Sequence, residues 1–115
     1  MRVRIDEIVF DCEKPLELAR FWAALLGGEP TGRSADWAYI DPPEFTRIAF
    51  QRVPEGKTGK NRLHLDLLAD DIPAATAEAV RLGAEQVGGI VSDTPGSFQV
   101  LRDPEGNEFC FVTPA

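Results

Sequence analysis

The sequence has one histidine, two cysteines and fewer basic than acidic residues. Each shortage closes off a class of function. A net charge of −7 and a pI near 4.6 argue against nucleic acid, because phosphate binding needs a basic face. The same charge argues against an anionic membrane surface. Acidity can draw a cationic ligand, but it more commonly serves solubility alone. Cys12 and Cys110 are too few for the disulfide framework of a small secreted protein. No signal-peptide pattern comes before them, since Met1-Arg2-Val3-Arg4 leads straight into a strand pattern. No apolar run is long enough to span a membrane. The expectation is a cytoplasmic protein with reduced thiols. A glycine-rich phosphate loop, a Cys-x-x-Cys pair and a serine nucleophile elbow are all missing.

What is present is a domain-sized chain of 115 residues, 43% of them hydrophobic. That is enough to bury a core in a single domain spanning residues 1–115. The chain turns on Lys60–Asp71, K-N-R-L-H-L-D-L-L-A-D-D. There Leu63, Leu65 and Leu67 alternate with His64, Asp66 and Leu68, the period-2 pattern of a strand with one buried face. The other face carries an imidazole and a carboxylate. It is either washed by solvent or lines a polar cavity.

Taken in order, Val3–Asp11 reads as a β-branched strand, with Ile8 and Phe10 on one face and Glu7, Val9 and Asp11 on the other. Pro15 opens a helix to Leu26, with Leu18, Trp22, Leu25 and Leu26 on one stripe and Gly27-Gly28 as its stop. Thr31–Asp36 reads as loop. Trp37–Ile40 and Arg47–Val53 read as strands around an Asp41-Pro42-Pro43 turn. After a polar connector comes the strand Leu63–Leu68. A helix Pro73–Leu82 follows, entered through Asp70-Asp71. A short strand near Gln86–Val91, a turn at Ser92–Gly96, a strand Phe98–Leu101, the turn Asp103–Asn107 and a strand Glu108–Thr113 complete the chain.

The order repeats. Glu7 and His64 stand 57 positions apart, and Lys14 and Asp71 open the two helices at that same spacing. Asp41-Pro42 and Asp103-Pro104 are 62 apart, and Ile48-Ala49-Phe50 and Phe109-Cys110-Phe111 are 61 apart. Internal duplication fixes a fold before any motif does. The reading is an α+β domain of two βαβββ modules, about 1–56 and 61–115, forming a curled mixed sheet around a central cavity.

Four segments carry a family resemblance. They are P-L-E-L-A-R-F-W-A-A-L-L-G (Pro15–Gly27), I-A-F-Q-R-V-P-E (Ile48–Glu55), K-N-R-L-H-L-D-L (Lys60–Leu67) and D-P-E-G-N-E-F-C (Asp103–Cys110). In these the chain resembles the glyoxalase/bleomycin-resistance/dioxygenase superfamily, the vicinal oxygen chelate proteins. It is most similar there to the small glyoxalase-like proteins. The resemblance implies two modules around one cavity but no single reaction, because that fold hosts isomerases, dioxygenases, thiol transferases and drug binders.

It also implies four metal-ligand places, which fall here on Glu7, Ala49, His64 and Cys110. Ala49 has no donor atom, and one Cys with one His and one Glu is not the usual oxygen-and-imidazole set. No metal or other cofactor is therefore expected; a metal, if bound, would take Glu7, His64 and Cys110. The last-strand glutamate that such isomerases use as ligand and base is missing, so methylglyoxal–glutathione isomerisation is not expected. With one histidine, ring-cleaving dioxygenation is not expected either.

Glu7 and His64 are the candidate catalytic pair, expected to meet across the cavity within about 6 Å as a proton-transfer couple or ligand anchor. Strand parity sends Asp11, Trp37, Tyr39, Gln51, Asp66, Phe98, Val100 and Cys110 to the same side as candidate ligand-binding residues. Asp66 has a competing role as an ion-pair partner of Arg4 or Arg62. Trp37 and Phe98 read equally well as packing. Cys110 reads first as a small buried apolar residue and second as a reactive thiol. The expected function is small-molecule binding, with lyase, isomerase or transferase chemistry as its enzymatic version. The alternative is non-catalytic sequestration of a drug or metabolite, as in bleomycin-resistance proteins; a third reading is a structural or regulatory module. A symmetric homodimer is expected, because short modules leave sheet edges open.

Overall fold

Proline fixes the first turn of one helix and an aspartate caps the other, and from these two starts the same pattern unrolls twice. The computed structural model describes residues 1–2, 4–61, 63–93 and 96–113. The chain divides into two compact units, Met1–Gly56 and Lys57–Ala115. Each is a βαβββ module with a four-stranded mixed sheet.

The first unit holds β1 (Glu7–Cys12), α1 (Pro15–Leu26), β2 (Thr31–Ser34), β3 (Trp37–Ile40) and β4 (Arg47–Arg52). Its sheet runs β1-β4-β3-β2, with β1 parallel to β4 and the remaining neighbours antiparallel. Ile8, Phe10 and Cys12 of β1 stand opposite Ile48, Phe50 and Arg52, on the face that α1 covers. Leu18, Ala19, Phe21 and Trp22 of α1 are buried. Phe10 meets both Trp22 and Phe50 edge-on, with ring centroids 5.7 and 5.6 Å apart, the geometry that ring quadrupoles favour. Lys14 gives α1 no side-chain cap. At the far end Gly27 closes the helix, its N–H donating to the Ala23 carbonyl at 2.7 Å. Gly28 then turns with φ of 90°, and a Cβ there would lie 2.7 Å from the Asp41 carbonyl oxygen, so a close backbone approach fixes this glycine.

The second unit holds β5 (Leu65–Leu68), α2 (Ile72–Arg81), β6 (Glu85–Asp93), β7 (Gly96–Arg102) and β8 (Glu108–Val112). Its sheet runs β5-β8-β7-β6, with the same parallel first pair. The Asp71 carboxylate accepts from the Ala74 N–H at 3.0 Å and caps α2. Leu101, Phe109 and Phe111 are buried beneath the helix with Ile72 and Ala79. Between Val87 and Val91 the β6 register slips, so that 88–90 stand against Gln99 alone. Gln99, 1% exposed, fills the slip. Its amide nitrogen lies within hydrogen-bonding reach of the carbonyls of Val87, Gly88 and Val100 at 2.9–3.3 Å, which ties the slipped segment of β6 to β7.

Several boundaries differ from the sequence reading. Thr31–Ser34 is a strand, not a loop, because it pairs along the edge of β3. The strand near Gln86–Val91 is nine residues long, its continuity hidden by Gly88-Gly89. The second helix begins at Ile72 rather than Pro73. The pivotal strand begins at Leu65, and Leu63 is 61% exposed. Leu65 and Leu67 are only half-buried, because β5 is a sheet edge and α2 lies over β6, β7 and β8. The first expected strand residue, Val3, and residues 94–95 of the expected turn lie outside the described residues. No helix among the described residues is long and apolar enough to cross a membrane.

Candidate functional site

Side chains alternate across a strand, so the register that buries Ile8, Phe10 and Phe50 sets their neighbours on the opposite, helix-free face. In the first unit three rows result. Glu7 stands against Arg47; Val9 against Ala49 and, beyond it, Tyr39; Asp11 against Gln51 and, beyond it, Trp37. The four candidates of this unit apart from Glu7, namely Asp11, Trp37, Tyr39 and Gln51, thus share one face with it. Trp37 and Gln51 line an open groove of about 460 Å³ together with Asp36, Arg52, Val53 and Pro54. The indole N–H of Trp37 is buried with no acceptor among the described residues, a condition that costs about 1–3 kcal/mol.

Arginines organise this face. Arg47 grips Asp41 through two parallel bonds, Nε–Oδ1 at 2.8 Å and Nη2–Oδ2 at 3.0 Å. Its guanidinium carbon also lies 3.8 Å from the Tyr39 ring centroid. The bonds from Arg47 hold the Asp41 carboxyl below its ordinary range, and the same bonds raise the guanidinium. Arg33 stands over both rings, 5.7 Å from the centroid of Trp37 and 5.5 Å from that of Tyr39. The sequence reading missed both arginines. For Arg47 the signal was available, since a hairpin at Asp41-Pro42 sets Arg47 across from that aspartate. For Arg33 it was not, because a bulge in β2 aims it and no spacing reveals a bulge.

In the second unit Asp66, Cys110, Val100 and Val87 form one row, and Leu68, Val112, Phe98 and Val91 the next. Asp66, Phe98, Val100 and Cys110 therefore also share a helix-free face. His64 immediately precedes β5, and its Nε2 lies 3.3 Å from the Asp66 Oδ1, both side chains more than half exposed. Asp66 thus meets His64; Arg62, one of its two expected partners, lies outside the described residues. Asn61 anchors the approach to His64. Its side-chain oxygen accepts from the Glu108 N–H at 3.1 Å, and its amide donates to the Leu63 carbonyl.

The Cys110 thiol is pushed up from its ordinary value, first by burial and then by the negative charges of Asp66 and Glu108, with Lys60 opposing. It is therefore a protonated thiol at neutral pH, whereas a nucleophilic cysteine reacts as the thiolate. Cys12 is buried, its sulfur 3.6 Å from the Gln51 carbonyl oxygen. The residues do not fit the metal that the resemblance implies. Ala49 is buried and has no donor, and no three His, Cys, Asp or Glu side chains converge on one point among the described residues.

Comparison with known proteins agrees with this architecture. The model of a glyoxalase-like domain matches residues 7–112. No curated protein matches the chain. A glyoxalase/bleomycin resistance protein/dioxygenase family enzyme from Burkholderia phytofirmans superposes with a TM-score of 0.82 at 16% identity, covering 98% of this chain and 100% of its own. A glyoxalase-related enzyme from Fulvimarina pelagi gives 0.74 at 14% identity, covering 97% and 88%. The bleomycin-binding protein of Streptomyces verticillus, solved with copper(II)-bleomycin, gives 0.66 at 18% identity, covering 100% and 99%. At these identities the likeness is one of fold.

Proposed function

The chain belongs to the glyoxalase-like domain family, and on that footing we propose that it binds a small organic molecule on the helix-free faces of its sheets. In this reading the two units act as one domain. Glu7 and His64 hold equivalent places in the repeat, 57 positions apart. Glu7 and His64 then exchange a proton with the bound molecule, one taking it as the other returns it, in a lyase-, isomerase- or transferase-type step. Asp11, Trp37, Tyr39, Gln51, Asp66, Phe98, Val100 and Cys110 line the ligand. The protein works in the cytoplasm as a symmetric homodimer. The observation that carries the reading is the groove of about 460 Å³ beside Trp37 and Gln51, a size that suits a small ligand.

Sequestration without chemistry is the second reading. It is favoured by the protonated Cys110 thiol and by the His64–Asp66 contact, which already occupies the imidazole. The superfamily includes a protein solved with bleomycin bound, so binding alone is a sufficient role.

A thermal-shift screen of small molecules against wild type and His64→Ala tests the site. Hits should stabilise the wild type and lose their effect in the variant, whose fold survives because His64 is exposed. Hits kept equally by both proteins would place the site elsewhere. Turnover of a hit, lost in both Glu7→Gln and His64→Ala, selects the enzymatic reading; stoichiometric binding without product selects sequestration.

A further inference from the structure

Arg33 is the extra residue of the β2 bulge, where Gly32 faces Ala38 and Ser34 already faces Trp37. A bulge of this kind turns two successive side chains toward one partner. The guanidinium of Arg33 consequently lies over the Trp37 and Tyr39 rings, its carbon 5.7 and 5.5 Å from their centroids, within cation–π reach. Arg47, Arg52, Arg81 and Arg102 each meet a carboxylate. Arg33 meets none among the described residues, although the chain holds 19 acidic side chains. A flat donor fork thus stands beside two rings with no hydrogen bond or ion pair among the described residues. It stands at the aromatic end of the face whose groove Trp37 and Gln51 line.

We propose that Arg33 is the carboxylate-binding group of this face, and that the ligand is a small organic acid with a planar apolar body. The carboxylate pairs with the guanidinium fork, a match of two flat groups that favours two parallel bonds. The body lies along Trp37, Val53 and Pro54. Arg33 is a cation of this face with no carboxylate partner among the described residues, whereas Arg47 is already paired with Asp41. The inference rests on the reading of this face as a small-molecule site.

Titration by ¹⁵N NMR tests it, with benzoate as the probe and benzamidine as its cationic counterpart. The chain has two indole N–H groups, and the fully buried Trp22 serves as internal reference. Benzoate should shift the Trp37 indole signal and leave Trp22 in place; benzamidine should shift neither. Arg33→Gln should weaken benzoate about tenfold or more, as expected for losing a charged hydrogen-bonding partner. Arg33→Lys should restore only part of the affinity, since an ammonium keeps the charge but not the fork. Arg33 is exposed on an edge strand, so a dispersed spectrum of each variant confirms its fold. The inference fails if wild type ignores benzoate, if Arg33→Gln binds as well, if Arg33→Lys binds fully, or if benzamidine shifts Trp37 equally. His64→Ala in the same titration keeps the two ideas apart. Benzoate binding kept there but lost in Arg33→Gln leaves the carboxylate site standing without His64. Screen hits lost in His64→Ala while benzoate never binds leave the His64 reading standing without this one.

Discussion

Laid over one another at the repeat spacing, the place that holds Trp22 in α1 holds Ala79 in α2, and the place that holds Arg47 in β4 holds Glu108 in β8. Both Trp22 and Ala79 are buried. In the first unit α1 reaches its sheet with an indole, which Phe10 and Phe21 flank edge-on. In the second a small residue suffices, and Phe109 and Phe111 rise from the sheet to meet α2. Six residues of α1 are buried against three of α2, so the first helix is the more firmly seated. The turn aspartates part in the same way. Asp41 spends its carboxylate on the Arg47 side chain. Asp103, 3% exposed, turns inward and accepts from the Glu105 and Asn107 N–H groups at 2.9 Å each. Duplication preserved the backbone register, and divergence moved the charge. The first helix-free face holds Arg33 and Arg47 beside Trp37 and Tyr39, together with Glu7 and Asp11; the second holds Asp66 among mostly aliphatic residues.

The largest test of this contrast is Trp22→Ala, which gives α1 the residue that α2 carries. The surrounding rings cannot close over the space, so the variant should lose about 3–5 kcal/mol in urea unfolding. A loss below about 1 kcal/mol would mean that both helices are held alike and that the aromatic cluster is incidental.

The helix starts offer a smaller test with opposite signs in the two units. Asp71→Ala removes the cap on the Ala74 N–H and should cost about 0.5–2 kcal/mol. Lys14→Asp supplies a cap where α1 has none and places a negative charge at the helix N-terminus, so it should gain about 0.5–1 kcal/mol. Thermal melts of both variants check this. Equal losses in the two would show that Pro15 alone sets the start of α1.

Much of this architecture was legible because duplication and periodicity are written in order and spacing. The α1 limits, Pro15 and Leu26, follow from a proline start and a glycine stop. The shared face of Asp11, Gln51 and Trp37 follows from alternation. What escaped depends on partners distant in the chain. Thr31–Ser34 has no strand pattern of its own and is extended because β3 lies beside it. Leu63 and Leu65 read as core, yet burial needs a covering helix and α2 lies over the other strands. Asp66 was matched to arginines by charge, whereas two residues on one strand face bring it to His64. The Arg33–Trp37–Tyr39 stack was invisible for the same reason, since the bulge that creates it is a pairing event.

The smallest effect expected is at the place where the repeat pairs Ala49 with Cys110. Ala49 is fully buried and Cys110 half-buried, so the second unit keeps some exposure where the first has none. Burial, Asp66 and Glu108 all favour the neutral thiol, and Lys60 opposes them without prevailing. A pKa raised by folding stabilises the native state fully below the unfolded value, about 8.5 for a cysteine. That contribution disappears as pH climbs through the folded value, because the unfolded chain then gains a thiolate that the native state resists. Wild type should therefore lose a little more melting temperature than Cys110→Ala between pH 8 and pH 10, with the two nearly equal at pH 7. At pH 7.5 iodoacetamide should modify Cys110 more slowly than it modifies free cysteine, since the thiolate is the reacting form. Alkylation faster than free cysteine would mean that a positive charge governs the site instead, and the contrast with Ala49 would then be one of reactivity and not of packing.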